Sequence, residues 1–221
     1  MWSRRANVLP KIKQNRTLAD QAYTLIKKSI VNNELKPGDW LAEEEIATQM
    51  GISRTPIRSA LTQLSYEGLV EMSPGKRARV STISDKDIRD FLVIREVLEA
   101  LAAELATTEM TETDFEDLED IVARQKKSIE SEDFTQFVEL DRQFHSRIAS
   151  VTNNKKLSEF VENLNTQLQR FLILTGTLQK AAREAVEEHE NIVEALRTKK
   201  ADKAKDAMAH HVRQVSERMT T

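Results

Sequence analysis

Glycine is distributed very unevenly along this chain of 221 residues. Four of the five glycines precede residue 76, and Gly176 is the only one after Ser84. Tight turns between strands depend on glycine and similar residues, so a segment with almost no glycine is poorly suited to form a sheet of short strands. From residue 84 onward no strand pattern occurs and apolar residues recur at helical spacing. We therefore predict a mainly α protein whose strands lie only in its first part.

The first part of the chain predicts three helices followed by a hairpin. The expected elements are helices over about 18–33, 42–50 and 54–66 and extended runs at 68–72 and 78–81 around a Pro-Gly turn. Thr17 and Asp20 form a T-x-x-D helix start, Gly51 breaks the second helix, and Ser53 is placed to cap the third. This order is a winged helix-turn-helix, and we assign it residues 17–82, preceded by a basic arm over 1–16.

Charge separates the two parts of the chain. Residues 1–82 carry 13 Lys and Arg against 8 Asp and Glu, whereas the remainder carries 20 against 28. A net charge of +5 before one of −8 favours nucleic acid at the first end only. The absence of cysteine excludes disulfides and thiolate metal sites. No apolar stretch approaches the roughly 20 residues that span a bilayer, and no signal-peptide pattern is present, so we expect a cytoplasmic protein without membrane contact.

Basic residues in this first part have the spacing of a DNA-binding surface. Arg54 and Arg58 lie one helical turn apart, opposite the apolar side of the third helix, and a guanidinium can fork onto guanine or clamp a phosphate. Thr55 is small enough to let the helix approach the DNA backbone. At the wing tip, Gly75 permits close approach while Lys76 and Arg77 supply charge. The alternative for each feature alone is a solvated basic helix beside an ordinary hairpin.

The first part also resembles a known family. The resemblance covers 18–81 and is carried by Leu35–Gly38, Glu43–Ala47 and the string Gly51-Ile52-Ser53-Arg54-Thr55-Pro56-Ile57-Arg58, which are similar to the DNA-binding domain of GntR-type regulators. It implies that Arg54, Thr55 and Arg58 contact the operator and that Gly75 enters the minor groove. One position departs from the pattern, because Glu44 stands where relatives place a basic residue that touches DNA.

The second part, 83–221, predicts a bundle of six antiparallel helices. The expected spans are 85–107, 112–131, 134–151, 155–175, 179–198 and 201–219. The predicted fold class is therefore a winged helix-turn-helix followed by a six-helix bundle.

Histidines on the apolar faces of this bundle suggest a metal site. Asp141 and His145 share a helix face, while His189 and His211 fall inside the apolar stripes of two later helices. His210 is rotated by about 100° from His211 and is expected at the surface. One carboxylate and three inward imidazoles suit a divalent ion such as zinc, nickel or manganese. Each histidine taken alone is more often an ordinary core residue.

The bundle also resembles the FCD ligand-binding domain of the FadR-like GntR branch. The matching strings are Arg95–Glu99, Asp141–His145, Asn154–Leu157, His189–Ile192 and Met208–His211. The resemblance implies that Asp141, His145, His189 and His211 bind a metal ion. Six helices rather than seven place the domain nearer the shorter VanR-like members.

Arg95 lies on an apolar helix stripe, where an unpaired charge is costly. Two interpretations remain open. Arg95 forms an internal salt bridge, with Glu99 one turn on or with Asp141, or it holds the carboxylate of a small organic acid together with the metal.

These features predict a DNA-binding transcription regulator, acting as a repressor, that binds double-stranded operator DNA as a homodimer and responds to a small carboxylic acid. The alternatives are a direct sensor of the metal ion and, with less support, a metal-dependent hydrolase. The hydrolase interpretation is disfavoured because a zincin helix that begins with His189-Glu190 requires a second histidine at position 193, where this chain has Val.

Overall fold

Two large hydrophobic clusters organise the computed structural model, which describes residues 16–72, 77–176 and 181–220. The smaller cluster draws its buried residues from between Ala22 and Val80, and the larger one from between Ile88 and Val215. A third, small cluster consists of Ala102, Ala149, Leu157 and Val161. The observed fold is mainly helical, as predicted. The exact domain limits remain a prediction.

The first cluster is enclosed by three helices and a small sheet. Its elements are α1 Leu18–Val31, β1 Trp40–Leu41, α2 Glu43–Met50, α3 Arg54–Tyr66, β2 Val70–Glu71 and β3 Ala78–Val80. The sheet is antiparallel in the order β1-β3-β2, with Trp40 opposite Arg79 and Val70 opposite Val80. The two strands of the predicted wing are thus present and paired, whereas residues 73–76 of its turn lie outside the described residues. Strand β1 was not predicted, because a strand of two residues has no periodicity and exists only through its pairing with β3.

Local capping explains two of the helix ends in this part. Thr17 and Asp20 form the predicted capping box, and Gly51 ends α2 in the left-handed conformation, with φ of 65°. Gly51 is required there because other residues pay a steric penalty at positive φ. Ser53 corrects the prediction: it occupies the N-cap position of α3, but its side chain makes no capping hydrogen bond.

Six helices follow in the described residues from 85 to 220. They are α4 Asp85–Glu109, α5 Glu112–Glu130, α6 Phe134–Val151, α7 Lys155–Thr175, α8 Ala182–Arg197 and α9 Ala201–Thr220. Every boundary that the structure describes lies within three residues of its prediction. Ser84 and Thr111 begin their helices with capping boxes, and Asn154 caps α7 through its side chain.

The bundle closes on itself, since neighbouring helices pack in the cyclic order α4, α9, α8, α5, α6 and α7, and α4 also contacts α6 and α8. Side chains from α4, α6, α8 and α9 can therefore meet in its interior. None of the described helices combines the length and the apolar character needed to cross a membrane.

Candidate DNA-binding surface and candidate metal centre

Helix α3 buries one face and exposes the other. Ile57, Leu61 and Leu64 are fully buried, while the side chains of Arg54 and Arg58 are 58% and 62% exposed. Thr55 and Arg77 are exposed as well. The predicted orientation of the two arginines is confirmed. Gly75 and Lys76 lie outside the described residues, as do Arg4 and Arg5 of the basic arm.

Both exposed arginines are held by a single carboxylate, which sequence analysis did not single out. Glu43 accepts hydrogen bonds from Arg58 Nε at 2.9 Å and Arg58 Nη2 at 2.7 Å, and from Arg54 Nη2 at 3.3 Å. The hydrogen bonds from Arg58 lower the pKa of Glu43 most, those from Arg54 add to this effect, and slight burial opposes both. Glu43 is therefore ionised at neutral pH. Glu44, which stands where relatives place a basic residue, is exposed.

Four predicted ligand residues meet inside the bundle. Asp141 and His145 of α6, His189 of α8 and His211 of α9 each place one ligand atom within 4.8 Å of the others. Asp141 Oδ1 lies 3.5 Å from His189 Nε2 and 3.9 Å from His145 Nε2. All three imidazoles are at most 1% exposed. The predicted helical phase is confirmed, because the adjacent His210 is exposed.

The three imidazoles share one pattern of contacts. His189 Nδ1 lies 2.9 Å from Gln125 Oε1, and His211 Nδ1 lies 2.7 Å from Glu188 Oε2. His145 Nδ1 lies 2.8 Å from Glu99 Oε2, although these atoms are not aligned for a hydrogen bond. The Nδ1 atom of each ring thus faces an acceptor oxygen. In contrast, the Nε2 atom of every one of these histidines is buried without a hydrogen-bond partner among the described residues.

Burial keeps the rings of His189 and His211 in the form that binds metal. Burial lowers the pKa of His189 well below its ordinary value, and the neighbouring His211 and His145 add to the shift. Burial also lowers the pKa of His211, although the hydrogen bond to Glu188 opposes it. Both rings are therefore neutral at neutral pH, and a neutral imidazole that donates from Nδ1 has its lone pair on Nε2.

Glu188 is held as an anion despite partial burial. Burial raises its pKa, but hydrogen bonds from Arg218 and His211 outweigh that effect and bring the pKa to about 2. Arg218 donates to both oxygens, at 2.7 and 2.8 Å. Arg218 thus fixes the carboxylate that contacts His211.

Arg95 is buried beside the same cluster, being only 1% exposed. Its Nε donates to Glu99 Oε1 at 2.9 Å, and Asn165 Nδ2 donates to the same oxygen at 2.8 Å. The predicted internal salt bridge with Glu99 is therefore present. Arg95 Nη1 and Nη2 remain buried without a hydrogen-bond partner in the described part of the chain.

Helix α7 connects the bundle to the first part of the chain. Gln167 and Asn163 both donate to the main-chain carbonyl of Glu67, at 2.7 and 3.2 Å, and buried Arg170 donates to the carbonyl of Ser81. Glu67 ends α3, and Ser81 follows β3. One face of α7 therefore contacts the chain just before and just after the wing.

Gln125 and Glu188 were not predicted as partners of the histidines. Gln125 has a local signal, since it is a polar residue on the buried stripe of α5 with Leu118, Ile121 and Val122. Glu188 has none, because its contact with His211 joins two helices that only the tertiary fold brings together.

Comparison with known proteins covers both parts of the chain. Residues 90–214 match the family model of the FCD domain, and residues 18–80 match that of the gntR family of bacterial regulatory proteins. The chain belongs to the GntR family, in its FCD-containing, FadR-like branch. Members of this family are transcription regulators, and the hydrolase alternative is not supported.

Individual relatives agree with this assignment of the GntR regulator. It is 27% identical over 197 residues to the HTH-type transcriptional repressor RspR of Escherichia coli (strain K12), covering 89% of this chain and 86% of that one. It is 31% identical over 193 residues to the HTH-type transcriptional regulator YdhC of Bacillus subtilis (strain 168), covering 86% of each chain. The solved structure of E. coli McbR/YncC has the same fold, with a TM-score of 0.78 at 24% identity over 92% of this chain and 97% of that one.

Proposed function

We propose that this GntR regulator binds a divalent metal ion through Asp141, His145, His189 and His211, and that a small carboxylic acid bound beside the ion controls operator binding. One observation carries the proposal: three buried Nε2 atoms that have no hydrogen-bond partner among the described residues converge with a carboxylate. An unpaired buried polar atom costs about 1–3 kcal/mol, and three at one point are difficult to explain as packing. A metal ion would satisfy all three.

The donor set suits a divalent transition metal. Imidazole nitrogen is a good ligand for zinc and nickel, whereas carboxylate oxygen extends the choice to manganese. Gln125 and Glu188 would fix the ring orientation of His189 and His211 through Nδ1, as second partners of metal-binding histidines commonly do. The ion would supply a fixed positive charge on which an anionic effector could bind.

Arg95 favours an organic acid over the metal ion alone as the signal. Its Nε donates to Glu99, but its two terminal nitrogens are buried and have no hydrogen-bond partner within the described ranges. Two parallel N–H donors match the two oxygens of a carboxylate. A regulator that sensed only the ion would have no use for these donors.

For DNA binding we propose that Arg54, Thr55 and Arg58 of α3 enter the major groove and that Arg77, with Gly75 and Lys76, contacts the DNA through the wing. The exposure of Arg54, Thr55, Arg58 and Arg77 supports this assignment. The relative named a transcriptional repressor supports repression as the mode of action.

An apolar stripe supports the homodimer. Along α4, exposed Val93, Ile94, Val97, Leu101 and Leu105 form a continuous row, with Val93 and Val97 69% and 65% exposed. A contiguous exposed apolar patch is typical of an interaction surface. Two DNA-binding domains joined through their helical bundles would suit an operator with two-fold symmetry.

The effector and metal-sensor functions differ in one experiment. The purified protein is dialysed against a chelator, and binding to the operator duplex is measured before and after adding zinc, nickel or manganese, with and without a series of small carboxylic acids. We expect an added acid to change operator binding only when metal is present. In Arg95→Ala this response to the acid should be weaker than in the parent protein. A response that follows metal occupancy alone would support the direct metal sensor.

A further inference from the structure

Glu43 occupies an unusual position for an acidic residue. Its carboxylate lies between the two arginines that face outward from α3, and its side chain is 20% exposed. DNA is a dense array of negative charge, so an anion at this surface opposes association with any duplex. If the contact of Glu43 with the two arginines serves DNA binding, it must therefore do so in another way than by raising the affinity for DNA in general.

The hydrogen bonds to Glu43 leave the terminal edge of the Arg58 guanidinium available to contact a base. Glu43 takes Nε and Nη2 of Arg58, so the terminal edge formed by Nη1 and Nη2 still offers N–H groups. A guanidinium has five donors, and a guanine base needs two of them in parallel. The carboxylate therefore restrains the side chain without consuming the edge that reads a base.

Restraint has a measurable value for a long side chain. An exposed arginine samples many rotamers, and ordering such a side chain on binding costs about 2- to 12-fold in affinity. A side chain that is already ordered avoids this cost only when its fixed direction matches the base. Prior ordering therefore favours the correct sequence over others.

We propose that Glu43 is a positioning residue for base recognition: it holds Arg54 and Arg58 in a common orientation, and so increases discrimination between operator and other DNA while reducing affinity for DNA in general. This inference rests on the proposed role of the two arginines. It differs from an ordinary surface ion pair, which would contribute little and separate when DNA binds.

Glu44 provides a matched control. It is the next residue of the same first helical turn, is exposed, and its side chain has no partner among the described residues. Glu43→Gln and Glu44→Gln remove the same charge from the same helix end. Glu43→Asp keeps the charge but is too short to reach both arginines, and Glu44→Asp is its control.

The test begins with a duplex recovered by the parent protein from a pool of random sequences. Fluorescence anisotropy at several salt concentrations then measures binding of each variant to this duplex, to single-base substitutions of it and to a scrambled duplex. Circular dichroism checks that each variant is folded. The measured quantity is the ratio of affinities for selected and scrambled duplexes.

We expect Glu43→Gln and Glu44→Gln to bind the scrambled duplex more tightly by similar factors. Only Glu43→Gln should also lose discrimination, by about 2- to 12-fold per restrained arginine. Glu43→Asp should lose discrimination while binding the scrambled duplex as the parent does. Equal discrimination in Glu43→Gln and Glu44→Gln, or full discrimination in Glu43→Asp, would overturn the proposal. If Arg54→Ala and Arg58→Ala leave selected-duplex binding unchanged, the DNA-binding assignment itself is wrong.

Discussion

Gln167 of the helical bundle donates from Nε2 to the main-chain carbonyl of Glu67, the C-cap residue of α3, at 2.7 Å. Helix α7, which carries Gln167, also contacts α6, the helix of Asp141 and His145. Glu162 of α7 accepts from Arg142 at 2.6 Å, and Gln169 donates to Glu139 at 2.9 Å. Helix α7 is therefore hydrogen-bonded both to the candidate metal helix and to the end of α3.

Removing this contact should weaken communication between the two parts. Gln167→Ala is expected to lower the free energy of unfolding by about 0.5–1.5 kcal/mol, the usual value of one hydrogen bond. If the contact transmits the signal, the effect of an added acid on operator affinity should also shrink. Thermal unfolding and operator titrations measure the two effects. Lys155→Ala, at an 88% exposed side chain of the same helix, is the control and should change neither.

Removal of a recognition arginine should weaken operator binding without unfolding the protein. Arg54→Ala or Arg58→Ala is expected to cost roughly 1–3 kcal/mol of operator affinity, because a base-reading arginine contributes on that scale. Both side chains are more than half exposed, so the fold and metal content should stay unchanged. Operator titration at constant salt checks the first expectation, and metal analysis checks the second. Parent-like affinity in both variants would contradict the assignment of α3.

Much of the fold follows from local patterns. The helices of the bundle were predicted within three residues because apolar spacing, capping residues and the rarity of glycine all act over a few positions. The strand Trp40–Leu41 was missed because its partner lies almost 40 residues further along the chain. Ser53 has the right type and place for a cap, yet its hydroxyl makes no such bond.

The candidate site was predictable only where helical phase determines it. The inward orientation of His189 and His211 follows from the apolar stripes of their own helices, and Asp141 lies one turn before His145. The partners of the histidines do not follow from such patterns. The contact between Glu188 and His211 and that between Gln125 and His189 join residues from different helices, and the packing of the bundle decides them.

A charge placed in the apolar row of α4 should disrupt the proposed dimer. Val97→Glu is expected to shift the protein toward monomer, because burying a carboxylate in an apolar interface is costly. Light scattering at micromolar concentration measures the change. Ala123→Glu, which introduces the same group at an exposed position of α5, is the matched control and should leave the assembly unchanged. A parent protein that is already monomeric would count against the homodimer.

Adjacent histidines provide the strictest test of the candidate metal centre. His211→Ala and His189→Ala should remove most bound divalent metal, whereas His210→Ala should retain it, because only the first two rings point into the bundle. A metal present at 100 times its dissociation constant stabilises the fold by about 2.7 kcal/mol, or about 5–10 °C in a chain of this size. Elemental analysis and thermal unfolding measure both effects.

Loss of a buried imidazole also removes packing, so each variant must be compared with the parent protein after chelation. Metal should raise the unfolding temperature of the parent and of His210→Ala, and should have little effect on the other two variants. The comparison isolates coordination from packing, since packing is lost with or without metal. Full metal content in all three variants would reduce the cluster to ordinary core histidines, and loss of metal in His210→Ala alone would contradict the ligand assignment.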